Sequence, residues 1–325
     1  MILPGNAAAK PLVSVIVPTY NSARSIERCL RTLGDQQTAH TFEVLVVDSG
    51  QDTTCEIAAR TLPEARVIRL PTRAVAPVAR NVGAREARGE ILAFLDSDAY
   101  ADLTWIDHVV RAVATGYDLV CGSIANANPG SAVARAEELL MFNEFLPELP
   151  GRPSWFALSG NMVLPRRAFE RFGPFVAVRA AEDVVFSRRL LAAGGRVLFY
   201  PAMVVAHDNR TRLRPYLRNQ FIVGKHTAIA RRLVKFADTG HYWLFILLLP
   251  ISPLAKLAKI AVRMMLRRPA HLLVLLKELP LVLAGICAYC AGMVAGVATQ
   301  LPAAERESSC DNQGLRGSVP GIEAK

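Results

Sequence analysis

The chain has few aromatic residues, 7% of its 325, and only three tryptophans, Trp105, Trp155 and Trp243. None of the three follows an arginine, so no Q-x-x-R-W pattern is present; residues 216–226 read YLRNQFIVGKH. No glycine-rich phosphate loop with a basic residue follows the first strand pattern, where PTYN stands instead, which argues against a nucleotidyltransferase. The six cysteines form no disulfide framework, and a reduced cytosolic domain is expected. Cys287-x-x-Cys290 lies in an apolar run with no second ligand pair, so neither zinc nor redox chemistry is assigned to it. The opening residues show no basic n-region running into a long apolar stretch, so no secretory signal is expected. No internal repeat is visible.

Acids are scarce in one place. Between Arg210 and Arg268, 13 Lys or Arg stand against a single acid, Asp238. That segment carries +12 where the whole chain carries +10, leaving the remainder slightly acidic. Basic residues concentrated beside apolar runs point to anionic lipid or phosphate, and away from nucleic acid.

The first half alternates short apolar runs with helical patterns. Strands are expected at Val13–Val17, Glu43–Val47, Val67–Leu70, Ile91–Leu95 and Leu119–Gly122. Helices are expected at Ser22–Leu33, Thr53–Arg60, Pro77–Ala87 and Leu103–Ala114, with Ser22 as a cap and Pro77 in a first turn. This is the βαβ pattern of an α/β fold with a mostly parallel, Rossmann-type sheet flanked by helices. Residues 126–153 read as an irregular crossing. A strand at Phe156–Leu164, a helix at Glu182–Ala193, extended pieces at Val197–Tyr200 and Val204–His207, and a basic helix at Leu213–Phe236 complete the domain.

In an open parallel sheet, ligands bind beyond the carboxyl ends of the strands. Three strand patterns end directly in polar residues: VSVIV in Pro18-Thr19-Tyr20-Asn21, EVLVV in Asp48-Ser49-Gly50, and ILAFL in Asp96-Ser97-Asp98. Two hard carboxylates one residue apart suit a small oxygen-seeking cation that also grips a diphosphate. Glu182 and Asp183 open a helix, where the dipole favours ionised carboxylates, and an ionised carboxylate can accept a hydroxyl proton.

PTYN (Pro18–Asn21), VVDSG (Val46–Gly50), ARNVGAREARGE (Ala79–Glu90), LDSDA (Leu95–Ala99), SGNM (Ser159–Met162) and AEDVVFSRRL (Ala181–Leu190) follow one another in order. In these motifs the chain resembles the membrane-attached bacterial type of family 2 inverting glycosyltransferases, which have the GT-A fold. The resemblance covers about residues 10–235. It implies that Thr19 and Asp48 contact the nucleobase, with Pro18, Tyr20 and Asn21 lining that pocket. Arg80 would lie near the nucleotide and Asp96 near the ribose. Asp98, with Asp96 and His207, would hold Mn²⁺ or Mg²⁺. Asp183, with Glu182 beside it, would be the general base, and Ser159, Gly160 and Asn161 would shape the acceptor pocket. The partners implied are a nucleoside-diphosphate sugar, a lipid-linked or glycan acceptor, and membrane lipids.

Four segments follow: a tail over residues 1–10, a catalytic domain over 11–236, a membrane-associated region over 237–301 and a flexible tail over 302–325. Leu279–Leu301 runs for 23 residues without a charge, long enough to cross a bilayer, and holds a G-x-x-x-G at Gly292 and Gly296 that allows close helix approach. Tyr242–Val262, interrupted by Pro250 and Pro253 and followed by basic residues, suits an interfacial or re-entrant helix. One span would keep Arg263, Arg267 and Arg268 with a cytoplasmic catalytic domain at the inner membrane. Processive members of the resembling family carry a Q-x-x-R-W pattern after the base, which is missing here, so the expected reaction is non-processive transfer to a hydroxyl in cell-envelope polysaccharide or glycolipid synthesis. The alternatives are a polyprenyl-phosphate sugar synthase and an inactive sugar-nucleotide-binding protein at the membrane.

Overall fold

A computed structural model describes residues 10–233, 251–267 and 269–299. Nine strands and eleven helices are named here in chain order among those residues. The first half runs β1 (Val13–Thr19), α1 (Ile26–Gly34), β2 (Phe42–Asp48), α2 (Thr54–Thr61), β3 (Arg66–Arg69), α3 (Ala76–Glu86), β4 (Ile91–Leu95), β5 (Ala99–Ala101) and α4 (Trp105–Ala114). Then come β6 (Leu119–Asn126), α5 (Ala132–Met141), β7 (Arg152–Pro153), β8 (Asn161–Pro165), α6 (Arg166–Phe172), α7 (Glu182–Ala192), β9 (Val197–His207) and α8 (Leu213–Leu233). The C-terminal helices are α9 (Ser252–Arg267), α10 (Pro269–Lys277) and α11 (Leu279–Ala298).

The strands form one sheet in the order β3-β2-β1-β4-β8-β6-β9-β5, with β7 on the flank of β9. β3, β2, β1 and β4 are parallel, as the βαβ pattern requires. Beyond β4 the sheet is mixed: β8 runs antiparallel to both β4 and β6, and β5 antiparallel to β9. Alternation along each strand feeds two cores. Val13, Val15 and Val17 face α1 and α4, while Ile16, Leu92 and Phe94 face the layer that holds α3, α5 and α8.

Besides the short elements β5, β7 and α6, for which there is no expectation, the structure departs from the sequence-based expectation at four points. The strand expected from Phe156 begins only at Asn161, because residues 158–161 form a turn closed by Asn161 N–H donating to the Leu158 carbonyl (3.2 Å). The irregular crossing contains α5, capped by Ser131, whose hydroxyl accepts from the Ala134 N–H (3.4 Å). The two extended pieces after Val197 are one strand that rides over Pro201 by a register shift against β6. Ser22 precedes α1 rather than capping it, whereas Pro77 does stand in the first turn of α3.

Among the described residues one helix, Leu279–Ala298, is long and apolar enough to cross a membrane, and a third of it is buried inside the protein. It is not free-standing. α8 lies along it in the same direction: the Tyr216 hydroxyl donates to the Leu281 carbonyl at one end (3.0 Å), and Arg232 donates to the Thr299 carbonyl at the other (2.6 Å). Between them Gly292 and Gly296 sit directly on the backbone carbonyls of Phe221 and Lys225, leaving no room for a Cβ. The glycine pair therefore serves packing within the chain. A half-buried Arg135 adds a pair with buried Glu278 at 2.5 Å. Gly296→Leu is expected to destabilise the protein by about 1–3 kcal/mol, since overpacking a helix contact forces the backbones apart. Val294→Ala on the outward face should leave the midpoint nearly unchanged; thermal unfolding of both variants in neutral detergent checks this. Residues 242–250 of the expected interfacial segment, Gln300 and Leu301 of the expected span, and the 302–325 tail lie outside the described residues.

Candidate active site

The parallel ladder sets Thr19 beside Asp48, and β4 on the other side of β1 delivers Asp96 to the same edge. There the Thr19 hydroxyl donates to the Asp48 carboxylate (2.7 Å), which also accepts from the Gly50 N–H (3.2 Å) and the Cys55 thiol (3.3 Å). Asn21, in left-handed backbone that asparagine tolerates (φ +52°), accepts from the Gln51 N–H (3.0 Å) and ties the two strand ends together. Tyr20 projects outward with the Arg73 guanidinium 4.6 Å from its ring centre.

Arg80, buried on α3, reaches across the edge in two directions. One guanidinium nitrogen donates to Asp96 Oδ1 and the other to Glu182 Oε1, each at 2.6 Å. The Ser159 hydroxyl also donates to Glu182 Oε1 (3.0 Å), so Glu182 is held from two sides. Gly160 follows, and a Cβ there would meet Asp96 Oδ2 at 2.6 Å, so only glycine lets the turn pass over that carboxylate.

α7 starts from Ala181, whose backbone is left-handed at φ +67°, a strained state for alanine that aims the first turn at the cavity. Asp183 accepts from the N–H groups of Ser159 (3.3 Å) and Val184 (2.7 Å). Burial pushes its carboxyl up to about 7; neighbouring Glu182 adds to this, while the two N–H bonds and Arg80 oppose it.

Across the cavity, His207 at the end of β9 points Nε2 at Asp98 Oδ1, 3.6 Å away. Its orientation is fixed by Nδ1 against Asn209 Oδ1 (2.7 Å) and by the Phe142 ring, 5.0 Å between centroids. Burial is the main cause that raises the Asp98 carboxyl; His207 opposes it and Asp96 adds a smaller push in the same direction. Asp96 itself is committed to Arg80. Among the described residues no three carboxylate, histidine or cysteine groups converge as a complete ligand cage. An Asp98–His207 pair nonetheless suits a hard divalent ion, which usually takes one or two protein ligands and fills its shell with water and substrate phosphate.

Thr19, Arg80, Asp96, Asp98, Glu182, Asp183 and His207 all border one cavity of about 1280 Å³, which reaches on to the C-terminal helices. A glycosyl transferase family 2 model matches residues 14–173. Glycosyltransferase AglE of Haloferax volcanii is 32% identical over 222 residues, covering 66% of this chain and 72% of that protein. The chain belongs to glycosyl transferase family 2. A second relative of this glycosyltransferase, the pre-mycofactocin glycosyltransferase of Mycobacterium tuberculosis, is 28% identical over 235 residues; the match covers 68% of this chain but only 48% of the relative. The fold is that of a mannosyltransferase from Pyrobaculum calidifontis solved with GDP-Man and Mn²⁺ (TM-score 0.59, 20% identity, 90% of this chain and 89% of that one). GalNAc-T7, solved with UDP, GalNAc and Mn²⁺, is also similar (TM-score 0.50, 15% identity, 68% and 51%). The GT-A fold expected from the motifs is the fold of this glycosyltransferase.

The cavity wall gathers Pro18, Thr19, Tyr20, Asn21, Arg80, Asp96, Asp98, Ser159, Gly160, Glu182, Asp183 and His207. Two expected site residues stand elsewhere. Asp48 is 1% exposed, and its carboxylate is taken up by Thr19, Gly50 and Cys55, so it shapes the Thr19 turn from behind. Asn161 is fully buried and bonded on both sides of its amide. It donates to the carbonyls of Ser123 (2.9 Å) and Met203 (2.8 Å) and accepts from the Trp105 indole (3.0 Å). It braces three elements of the sheet layer and does not border the cavity. Sequence reasoning missed Glu137, which sits on the unexpected helix α5 and holds Arg210 (2.7 Å) and Asn219 (3.1 Å) at the cavity wall. Ser131 and the helix-forming run after it were the available signal.

Proposed function

We propose that this glycosyltransferase moves one sugar from a nucleoside diphosphate to an acceptor hydroxyl, with inversion at the anomeric carbon, at the cytoplasmic face of the inner membrane. The observation that carries this reading is that one cavity holds both the Asp98–His207 pair and a buried carboxylate, Asp183, that forms no ion pair among the described residues. Thr19, Tyr20 and Asn21 would border the nucleoside, and Asp96, steadied by Arg80, the ribose. Asp98 and His207 would hold Mn²⁺ or Mg²⁺. When bound, that ion supplies Lewis-acid neutralisation of the charge gathering on the leaving diphosphate. The two solved neighbours carrying Mn²⁺ support a divalent ion here.

Asp183 is the better base of the two adjacent acids, because Glu182 is occupied by Arg80 and Ser159. The acceptor hydroxyl donates to Asp183; its oxygen bonds to the anomeric carbon as the bond to the diphosphate oxygen breaks, and the proton stays on Asp183. Ser159 and Gly160 form the turn against which the acceptor lies. The absence of the Q-x-x-R-W pattern supports transfer of a single unit, and the apolar helix α11 with the basic α8 beside it supports a lipid-linked or glycan acceptor at an envelope membrane.

A panel of nucleotide-sugars tested for thermal stabilisation with and without Mn²⁺ checks this. One donor should raise the midpoint by a few degrees with Mn²⁺ and not in EDTA. Asp98→Ala should weaken that donor's affinity about tenfold, in line with the loss of one charged contact. Equal stabilisation in EDTA would remove the ion from the reading.

A further inference from the structure

The cavity does not stop at the catalytic carboxylates. It runs on between α5, α8, α9 and α11 into an annex walled by Val223, Ala230, Ala255, Ile260 and Met293. Cations project into this apolar space: Arg188 from α7, Arg231 from α8, and Lys256, Lys259 and Arg263 from α9. Glu144 takes up Arg263 (2.9 Å) and Lys259 (3.7 Å). Lys256 instead lies over the Tyr289 ring, 3.5 Å from its centre, and among the described residues no carboxylate pairs with it. Desolvation lowers it to about 8, as expected of an ammonium held in an apolar wall.

α9 explains how such a space meets a membrane. At about 100° per residue the helix has three faces. Leu257, Ile260 and Met264 pack into the core. Lys256, Lys259 and Arg263 turn to the annex. The third face, beginning just ahead of the helix, carries Ile251, Leu254, Val262 and Met265, all apolar and all exposed, Leu254 to 69%. Ile251 is 57% exposed and also lines the annex, so the mouth opens beside this apolar stripe. A helix apolar on its outward face and basic toward a cavity suits a seat in the plane of the interface. A full crossing by α11 would draw α8, with Lys225, Arg231 and Arg232, into hydrocarbon, where charged side chains are strongly disfavoured.

We propose that the annex binds the acceptor as a phosphate-headed lipid, its phosphate against Lys256, Lys259 and Arg231 and its hydrocarbon chain leaving past Ile251 and Leu254 into the bilayer. This rests on the glycosyl-transfer reading above, and it places the charged head further along α7 than Asp183: Arg188 is five residues on, about 7.5 Å at 1.5 Å per residue. A group attached beyond the phosphate thus reaches the base while the lipid stays in the membrane.

Calorimetry on the full chain in neutral detergent tests this with three probes: farnesyl diphosphate, farnesol and inorganic pyrophosphate. EDTA is present throughout to keep diphosphates off the metal-dependent donor site. Farnesyl diphosphate should bind at least tenfold more tightly than either of the others. Lys256→Met should lower that affinity about tenfold, Lys256→Arg should restore most of it, and the donor's affinity measured with Mn²⁺ should stay at the wild-type value in both. Equal binding of farnesol or of pyrophosphate by the wild-type protein overturns the proposal, whatever the variants do. So does unchanged farnesyl diphosphate affinity in a Lys256→Met protein that unfolds at the normal midpoint. If no nucleotide-sugar binds while farnesyl diphosphate does, the glycosyl-transfer reading fails and the lipid site stands.

Discussion

Asp183→Asn is expected to bind the sugar donor normally and to lose turnover by about 10²–10⁴, the usual contribution of a positioned general base. The substitution preserves shape, and the amide oxygen can keep the shorter of the two bonds that hold the side chain, the one from the Val184 N–H to Oδ1 (2.7 Å), while giving up the longer one from the Ser159 N–H to Oδ2 (3.3 Å). What it removes is the ability to take the acceptor's proton. The carboxyl is pushed up to about 7 by burial and then by Glu182, so kcat/KM of the wild-type protein should rise with pH, pass half-maximum near 7 and level off above it. That limb should be missing from the Asn variant's residual activity. Stability should move the other way. The folded-state pKa lies above the ordinary value of 3.8, so the stability this group contributes is whole below that value and is lost as pH rises through 7. At pH 8 Asp183→Asn is therefore expected to melt no lower than wild type. A variant with near-wild-type turnover would shift the base to Glu182, against the hydrogen bonds that occupy that residue.

Most of the parallel half of the sheet was legible because buried parallel strands announce themselves as unbroken apolar runs: ILAFL is β4 to the residue. The strand ends were legible for the same reason, since polar residues after such a run have only the sheet edge to occupy. The antiparallel half was harder. β8 follows a loop whose apolar residues, Phe156, Ala157 and Leu158, pack as a strand's would, and only the backbone hydrogen bonds distinguish the two. α5 was obscured by prolines and glycines on both sides, and its loss hid Glu137. Asp48 and Asn161 show a different limit. A polar residue inside a motif has the same sequence appearance whether it lines a cavity or braces the turn that does, and only burial together with the hydrogen bonds it makes to its neighbours separates them. The G-x-x-x-G of α11 predicted a close helix approach correctly, but not that the partner would be the chain's own basic helix.

Arg80→Met is expected to cost about 3–5 kcal/mol of stability, the penalty for removing one partner from buried ion pairs. Arg80 is almost wholly enclosed, and its guanidinium holds Asp96 and Glu182 at 2.6 Å each. Burial works against its charge, yet Asp96 and Glu182 outweigh burial and hold its pKa above the ordinary arginine value. Methionine fills much of the volume but leaves two carboxylates facing each other without a cation. Adding Glu182→Gln to Arg80→Met should return part of the loss, because one of the orphaned charges is then gone; urea unfolding of the two single variants and the double measures that coupling. Arg80→Lys keeps the charge but gives up the planar fork that reaches both acids, so it should fall between wild type and Arg80→Met. A merely structural role would stop there. Arg80 also opposes the upward shift of Asp183, so weakening it should move the half-maximal pH of kcat/KM above 7 in Arg80→Lys. An unmoved pH midpoint together with lower stability would confine Arg80 to holding the fold, whereas movement of both ties the donor-side Asp96 and the base to one buried guanidinium.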